Sequence, residues 1–200
     1  MGMRRPCIRL RALRLTSTKK GRRPSPAYRR YTTWRRHRQR LIMPEEEVTV
    51  DPMTLNDLMR VIEIERMCFP DPWPFSAFLS DLENENTITL VAKIGKKVVG
   101  FTICHVVAGE MHLMNIAVDP DFRRKKVGHK LIEHLFYYGE QHGCRIMYLD
   151  VRKSNSGAIS FYNKYGFEIL YERKGYYRKP PEDALVMVLD LSERSKRGVV

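Results

Sequence analysis

Residues 111–138 constrain the fold of this chain more than any other stretch. MHLMNIAVDP is an apolar, β-rich run stopped by Pro120. The basic loop Arg123, Arg124, Lys125, Lys126 follows, and then Leu131, Ile132, Leu135 and Tyr138 recur at helical spacing. A strand that passes through a short loop directly into an amphipathic helix must pack both elements on one core, so the chain contains a sheet with helices against it. The same junction aims unpaired backbone N–H groups and the positive helix end at one spot, which is a seat for phosphate. Gly128 lets the backbone approach closely, and four consecutive cations suit more than one phosphate. A diphosphate-bearing cofactor is the expected occupant; a solvated basic turn is the alternative reading.

The rest of the chain extends this pattern. A short β-like run around VTV leads to Thr54 in an N-cap position and to Leu55, Leu58, Met59 and Ile62 at helical spacing. Two prolines in DPWP break the chain before a second helix from about Ser76. TITLVAKIGKKVVGFTICHVV reads as a hairpin around Gly95. CRIMYLDV reads as a strand, SNSGAISFYNKYGF as a capped helix closed by Gly166, and FEILYERK and ALVMVLDL as two last strands. The expected order is β, α, α, β, β, β, α, β, α, β, β, a mixed α/β sheet with helices on its faces.

Charge divides the chain in two. The formal net charge of +13 suggests a nucleic-acid binder, but residues 1–42 hold 15 Lys and Arg and no Asp or Glu, leaving 21 basic against 23 acidic residues from 43 onward. The expected organisation is a basic extension over 1–42, one domain over 46–191 and a flexible tail over 192–200. Tyr28, Tyr31 and Trp34 lie among the arginines, a mixture that stacks bases and neutralises phosphates, so any nucleic-acid contact is expected there. The same acid-free composition also describes an organelle transit peptide, and Met43, where the composition flips, is a candidate initiator.

Cys7, Cys68, Cys104 and Cys144 show no CxxC spacing, and His129 and His134, five apart, do not share a helix face. No metal is expected, and a reducing, cytoplasmic setting fits. No run approaches the roughly 20 apolar residues needed to span a bilayer, so no membrane association is expected.

Four segments, FPDPWPFSAF, NIAVDPDFRR, YLDVRKSNSGAISFYNKYGF and GYYRKPPEDALVM, resemble in order those of the GNAT superfamily of acetyltransferases, closest to its RimI and archaeal protein N-terminal branch. The likeness runs from about Val48 to Leu191. It implies the GNAT fold, a mostly antiparallel sheet splayed at the acetyl-CoA site, and direct acetylation of protein N-termini, ribosomal proteins among the candidates. The family pattern at the phosphate loop, Gln/Arg-x-x-Gly-x-Gly/Ala, is matched at Arg123 and Gly128. Lys126 stands where the middle glycine belongs, and a left-handed backbone there would cost a lysine about 1–2 kcal/mol.

By that resemblance acetyl-CoA contacts fall on Ile116, Ala117 and Val118, whose backbone with that of Asn115 would meet the thioester, on Arg123, Arg124, Lys125, Lys126, Val127, Gly128 and His129, and on Asn155 and Tyr162. The general base maps to Asp150 and the general acid to Tyr162. The competing readings are a strand-end carboxylate satisfied by a nearby backbone N–H or by Arg152, a core tyrosine and a plain helix cap at Asn155. Phe69, Trp73, Tyr176 and Tyr177 are candidates for peptide binding, or else pack loops over the sheet, and Glu110 and Glu182 are candidates to attract a substrate ammonium. Lysine side chains or small amines remain alternative acceptors. An RNA- or ribosome-binding protein that has lost catalysis is the reading from another class.

Overall fold

The computed structural model describes residues 47–196, with side chains to Glu193. The basic extension 1–42, its aromatic residues and the Met43 initiator lie outside the described residues. The elements follow the expected order: β1 Val48–Pro52, α1 Leu58–Cys68, α2 Phe75–Glu83, β2 Thr87–Ile94, β3 Lys97–Val107, β4 Glu110–Val118, α3 Val127–Gln141, β5 Ile146–Arg152, α4 Ser156–Asn163, β6 Glu168–Arg178 and β7 Pro181–Asp190. A last helix, α5 Leu191–Lys196, begins where a flexible tail was expected; its Leu191 is buried in the core, which holds that end down.

Seven strands form one sheet in the order β1-β2-β3-β4-β5-β7-β6. All neighbours are antiparallel except β4 and β5. A parallel pair needs a crossover, and α3 supplies it. This helix buries Leu131, Ile132, Leu135 and Phe136 against Met111, Leu113, Met147 and Leu149 on one face of the sheet. The other face, over β2, β3 and β4, is covered by α1 and α2, where Leu58, Val61, Ile64 and Phe78 meet Val91, Phe101 and Ile103. Each such side chain contributes about 1.5–3 kcal/mol on burial.

The buried face of α1 differs from the expected one. Thr54 does cap the chain: its N–H and hydroxyl both donate to Asp57 Oδ2, at 2.9 and 2.7 Å. The turn it starts, Leu55–Asp57, is a tighter 3-10 turn, and the helix leaves it rotated, with Leu55 and Met59 in solvent and Val61 and Ile64 inside.

Gly100 sets the distance between α3 and the sheet. A Cβ there would stand 2.9 Å from the Ala117 carbonyl oxygen and 3.0 Å from Val127 Cγ1.

Candidate active site

β4 and β5 pair only from Glu110 to Leu113 against Ile146 to Leu149. Beyond that point β4 stays with β3 while Asp150, Val151 and Arg152 stay with β7, so the sheet opens into a wedge. A bulge causes the divergence: Ile103 pairs with Asn115 but Cys104 with Leu113, leaving Met114 unopposed and turning β4. The N–H of Asp119 donates to Val99 O at 2.9 Å, toward β3. By strand alternation Ala117 faces β3 too, whereas the N–H groups of Ile116 and Val118 face the wedge. Of the four expected backbone donors, the N–H groups of Ile116 and Val118 thus face the wedge, and by the same alternation those of Asn115 and Ala117 face β3.

At the open end of the wedge stands the basic loop. Asp119 Oδ1 accepts the N–H of Asp121 at 3.0 Å, which starts the turn Pro120–Phe122. Arg124 and Lys126 then both adopt left-handed backbone, with φ of 62° and 61°. Lys126 is thus a lysine in the conformation a glycine adopts freely. The N–H of Lys130 donates to Lys126 O at 3.0 Å, so those of Val127, Gly128 and His129 point out of the helix end. A Cβ on Gly128 would lie 3.7 Å from Phe161 and Val118, ordinary contact, so the packing around it does not itself demand glycine. Arg124, Lys125 and Lys126 face solvent. Arg123 folds back, its Nε donating to Val118 O at 3.4 Å and its Nη2 to Cys68 Sγ at 3.6 Å. His129 is turned to the neighbouring helix, its Nδ1 2.5 Å from the Tyr165 hydroxyl. Exposed N–H groups and cations at one helix end fit a diphosphate, with Val127 serving the core and His129 the helix contact.

On the far wall, Asn155 Oδ1 accepts the N–H of Ala158 at 3.1 Å and caps α4. One turn later Tyr162 is buried, edge-on to Phe161 and Phe167 at 5.4 and 5.6 Å. Burial pushes its phenol far above the ordinary tyrosine range, and nearby Tyr177 adds to the shift, so Tyr162 holds its proton at every physiological pH.

Asp150 stands at the floor of a cleft of about 270 Å³ with Glu110, His112, Tyr148, Tyr171 and Arg173 among its walls. Its Oδ2 accepts from Arg173 Nη1 at 3.4 Å, while its Oδ1 is buried with no hydrogen-bond partner. Burial raises its pKa, and the charges of Arg173 and His112 oppose that. The Tyr177 hydroxyl donates to the Asp150 backbone oxygen at 3.4 Å; burial, then the Asp150 carboxylate, push that phenol up to about 12. Arg152, the side-chain partner expected for Asp150, instead meets Glu182 at 3.2 Å. Glu182 also accepts the Ser154 N–H at 2.6 Å, and these bonds hold its pKa low. It is therefore a loop anchor, not a free carboxylate for a substrate ammonium.

Glu110 remains half-exposed at the cleft, 3.7 Å from His112. Tyr176 is 43% exposed and edge-on to Tyr177 at 5.1 Å. Phe69 and Trp73 pack against the α1–α2 core instead, with Trp73 5.9 Å from Phe78. Sequence reasoning missed His112, Tyr148 and Arg173. The first two were within reach, because period-two alternation puts Glu110 and His112 on the face that parallel pairing gives to Tyr148 and Asp150. Among the described residues no cluster of three metal-ligating side chains occurs, and no helix is long and apolar enough to cross a membrane.

Comparison with known proteins places this geometry. The acetyltransferase (GNAT) family model matches residues 58–167. The chain is 35% identical over 146 residues to the [ribosomal protein bS18]-alanine N-acetyltransferase of Escherichia coli K12, covering 72% of this chain and 98% of that protein. The crystal structure of the ribosomal-protein-S18-alanine N-acetyltransferase from Escherichia coli superposes with a TM-score of 0.68 at 34% identity, over 72% of this chain and 94% of that one. Arabidopsis thaliana NAA60 in complex with acetyl-CoA shares the fold, with a TM-score of 0.67 at 18% identity over 73% and 99% of the two chains.

Proposed function

Because the chain belongs to the GNAT family of acetyltransferases, we propose that it acetylates the N-terminal α-amine of proteins by direct transfer, within residues 46–191. Acetyl-CoA, when bound, supplies an activated acyl carbon and a thiol leaving group. The helix-end N–H groups of Val127 and Gly128 and the cations from Arg123 to Lys126 would hold its diphosphate. The N–H groups of Ile116 and Val118 would bond to the chain that enters the wedge and to the oxygen on which charge builds. Asn155, already a helix cap, can offer its amide N–H to the same chain. As the new C–N bond forms and the C–S bond breaks, Asp150 takes the proton lost by the amine and Tyr162 gives its proton to the departing sulfur.

The observation that carries this reading is the state of Asp150 Oδ1: a buried carboxylate oxygen with no donor, at the base of an open cleft beside the wedge. An N-terminal amine, with a pKa of about 7.7–8.0, is partly neutral at physiological pH, so a single carboxylate suffices. A lysine amine near 10.4 would demand a stronger base. Tyr176 and Tyr177 at the rim, with Glu110 on the cleft wall, would meet the peptide; Phe69 and Trp73 would shape the loop above it. Likeness to bS18-alanine acetyltransferases makes ribosomal proteins the first substrates to try. The three described cysteines are free, in line with a cytoplasmic enzyme, and any nucleic-acid contact is assigned to the extension 1–42.

Release of free CoA thiol in the presence of short peptides tests the reading. Peptides with a free N-terminus should release thiol, and the same peptides N-terminally blocked should not. Equal release from both would refute it.

A further inference from the structure

We propose that Arg173 is the positioning residue of the candidate base, clamping Oδ2 of Asp150 so that Oδ1 alone takes the proton from the incoming amine. The proposal rests on the acetyltransferase reading above, and it comes from a contact that joins two non-adjacent strands. Asp150 is on β5 and Arg173 on β6, with β7 between them. Arg173 is opposite Ala184, but the next paired residue of β6 is Tyr177, opposite Glu182, so Lys174, Gly175 and Tyr176 form a wide bulge. Gly175 has φ of 59°, and its N–H donates to Asp183 Oδ1 at 2.8 Å, which fixes the bulge to β7.

Strand pairing brings the guanidinium within reach: Val186 is opposite both Asp150 and Tyr171, and Arg173 lies two residues beyond Tyr171 on the same face. Its Nη1 donates to Asp150 Oδ2 at 3.4 Å, its Nη2 to the Tyr171 hydroxyl at 3.2 Å, and its plane lies over the Tyr176 ring at 4.7 Å. Three contacts define a plane, so the fork holds one carboxylate oxygen in one direction, as a flexible ammonium would not. The other oxygen, Oδ1, is left buried and without a donor. A buried acceptor without a partner calls for an explanation, and a catalytic role is one that its place in the cleft supplies.

The remaining charged and titratable groups around Asp150 are His112 and Glu110 on β4, Tyr148 on β5, which stacks on His112, and Tyr177 on β6, whose hydroxyl bonds the Asp150 backbone rather than its side chain. Burial favours the protonated acid, and Arg173 is the first of the charges that oppose it, ahead of His112. The clamp therefore also offsets part of the rise that burial imposes on the carboxyl.

The test uses the full chain with Arg173→Gln, which keeps the shape of the contact without the charge, and Arg173→Lys, which keeps the charge without the fork. Arg173 is 40% exposed, so both variants should fold, and unfolding temperature checks this. The Asp150 carboxyl is titrated by carbon-13 NMR in the protein alone, and kcat and KM for a peptide are followed against pH. In Arg173→Gln the Asp150 midpoint and the acidic limb of kcat/KM should both move up, with a roughly tenfold loss on that limb carried by kcat, as befits a general base that is protonated over more of the pH range. Acetyl-CoA affinity should not change. Arg173→Lys should restore the limb while leaving kcat low. An unmoved midpoint and limb in Arg173→Gln, or a lysine variant no better than glutamine on the limb, overturns the assignment. If the unaltered protein transfers no acetyl group to any peptide, the acetyltransferase reading fails and the assignment falls with it.

Discussion

The side-chain amide of Asn115 donates to Glu65 Oε2 at 3.0 Å, joining two residues fifty positions apart in the buried seam between α1 and β4. Glu65 Oε1 accepts the N–H of Trp73 at 3.0 Å. One carboxyl thus ties together a helix, the loop of FPDPWPF and the strand that opens the wedge.

Burial pushes the Glu65 pKa up, and the two hydrogen bonds only partly pull it back. A carboxyl raised in the fold contributes stability that is fully present below its unfolded value, near 4.5, and is lost as pH rises through the folded value. Glu65→Gln removes the titration, and Asn115 can turn its otherwise unpartnered Oδ1 toward the new amide. The variant should therefore gain stability relative to the unaltered protein as pH rises from 4 to 7. Chemical denaturation at several pH values checks this, and a pH-independent difference would contradict it.

Lys126→Gly should stabilise the fold. The left-handed backbone costs a lysine about 1–2 kcal/mol, and the added freedom of an unfolded glycine returns about 0.5–1 kcal/mol. A net gain of up to about 1.5 kcal/mol remains. Acetyl-CoA affinity, measured by calorimetry, should stay intact or fall slightly at low salt, where the lost cation matters most. Complete loss of binding would show that the lysine itself holds the ligand.

Gly100→Ala should act in the opposite direction. Its Cβ would press on the Ala117 carbonyl and Val127 from a site with no room, a strain of about 1–3 kcal/mol. The lost space lies between β4 and the start of α3, so both thermal stability and acetyl-CoA affinity should drop. Unchanged affinity in a destabilised variant would separate the two.

Tyr162→Phe keeps the packing on Phe161 and Phe167 and removes only the hydroxyl. Its kcat should fall by about 100-fold or more, with acetyl-CoA affinity unaltered, as read by single-turnover kinetics. Full activity would remove Tyr162 from the proton path.

The element order was legible because each strand and helix carries its own period and its own stop. Pro120, the prolines of DPWP and the glycines at 95 and 166 end segments by local chemistry alone. Asp150 and Tyr162 entered as candidates through resemblance, and the structure adds their environments. The wedge was not legible from side chains, since it follows from Met114 having no partner on β3. Nor was Arg173, which reaches Asp150 across β7 because the pairing puts Tyr171 and Asp150 opposite the same residue, Val186, with Arg173 two residues on along that face. The rotated face of α1 shows the same limit: Leu55 and Met59 are as apolar as Val61 and Ile64, and the turn at Leu55–Asp57 decides between them.

The central claim is that Asp150 serves transfer to an α-amine. The direct measurement gives the full chain acetyl-CoA and a peptide that carries both a free N-terminus and an internal lysine, and locates the acetyl group by fragmentation mass spectrometry, with Asp150→Asn alongside. The account expects the label on the N-terminal amine alone, with transfer slowed roughly 100-fold or more in the variant while acetyl-CoA still binds. Label on the lysine, or undiminished transfer by Asp150→Asn, would contradict it.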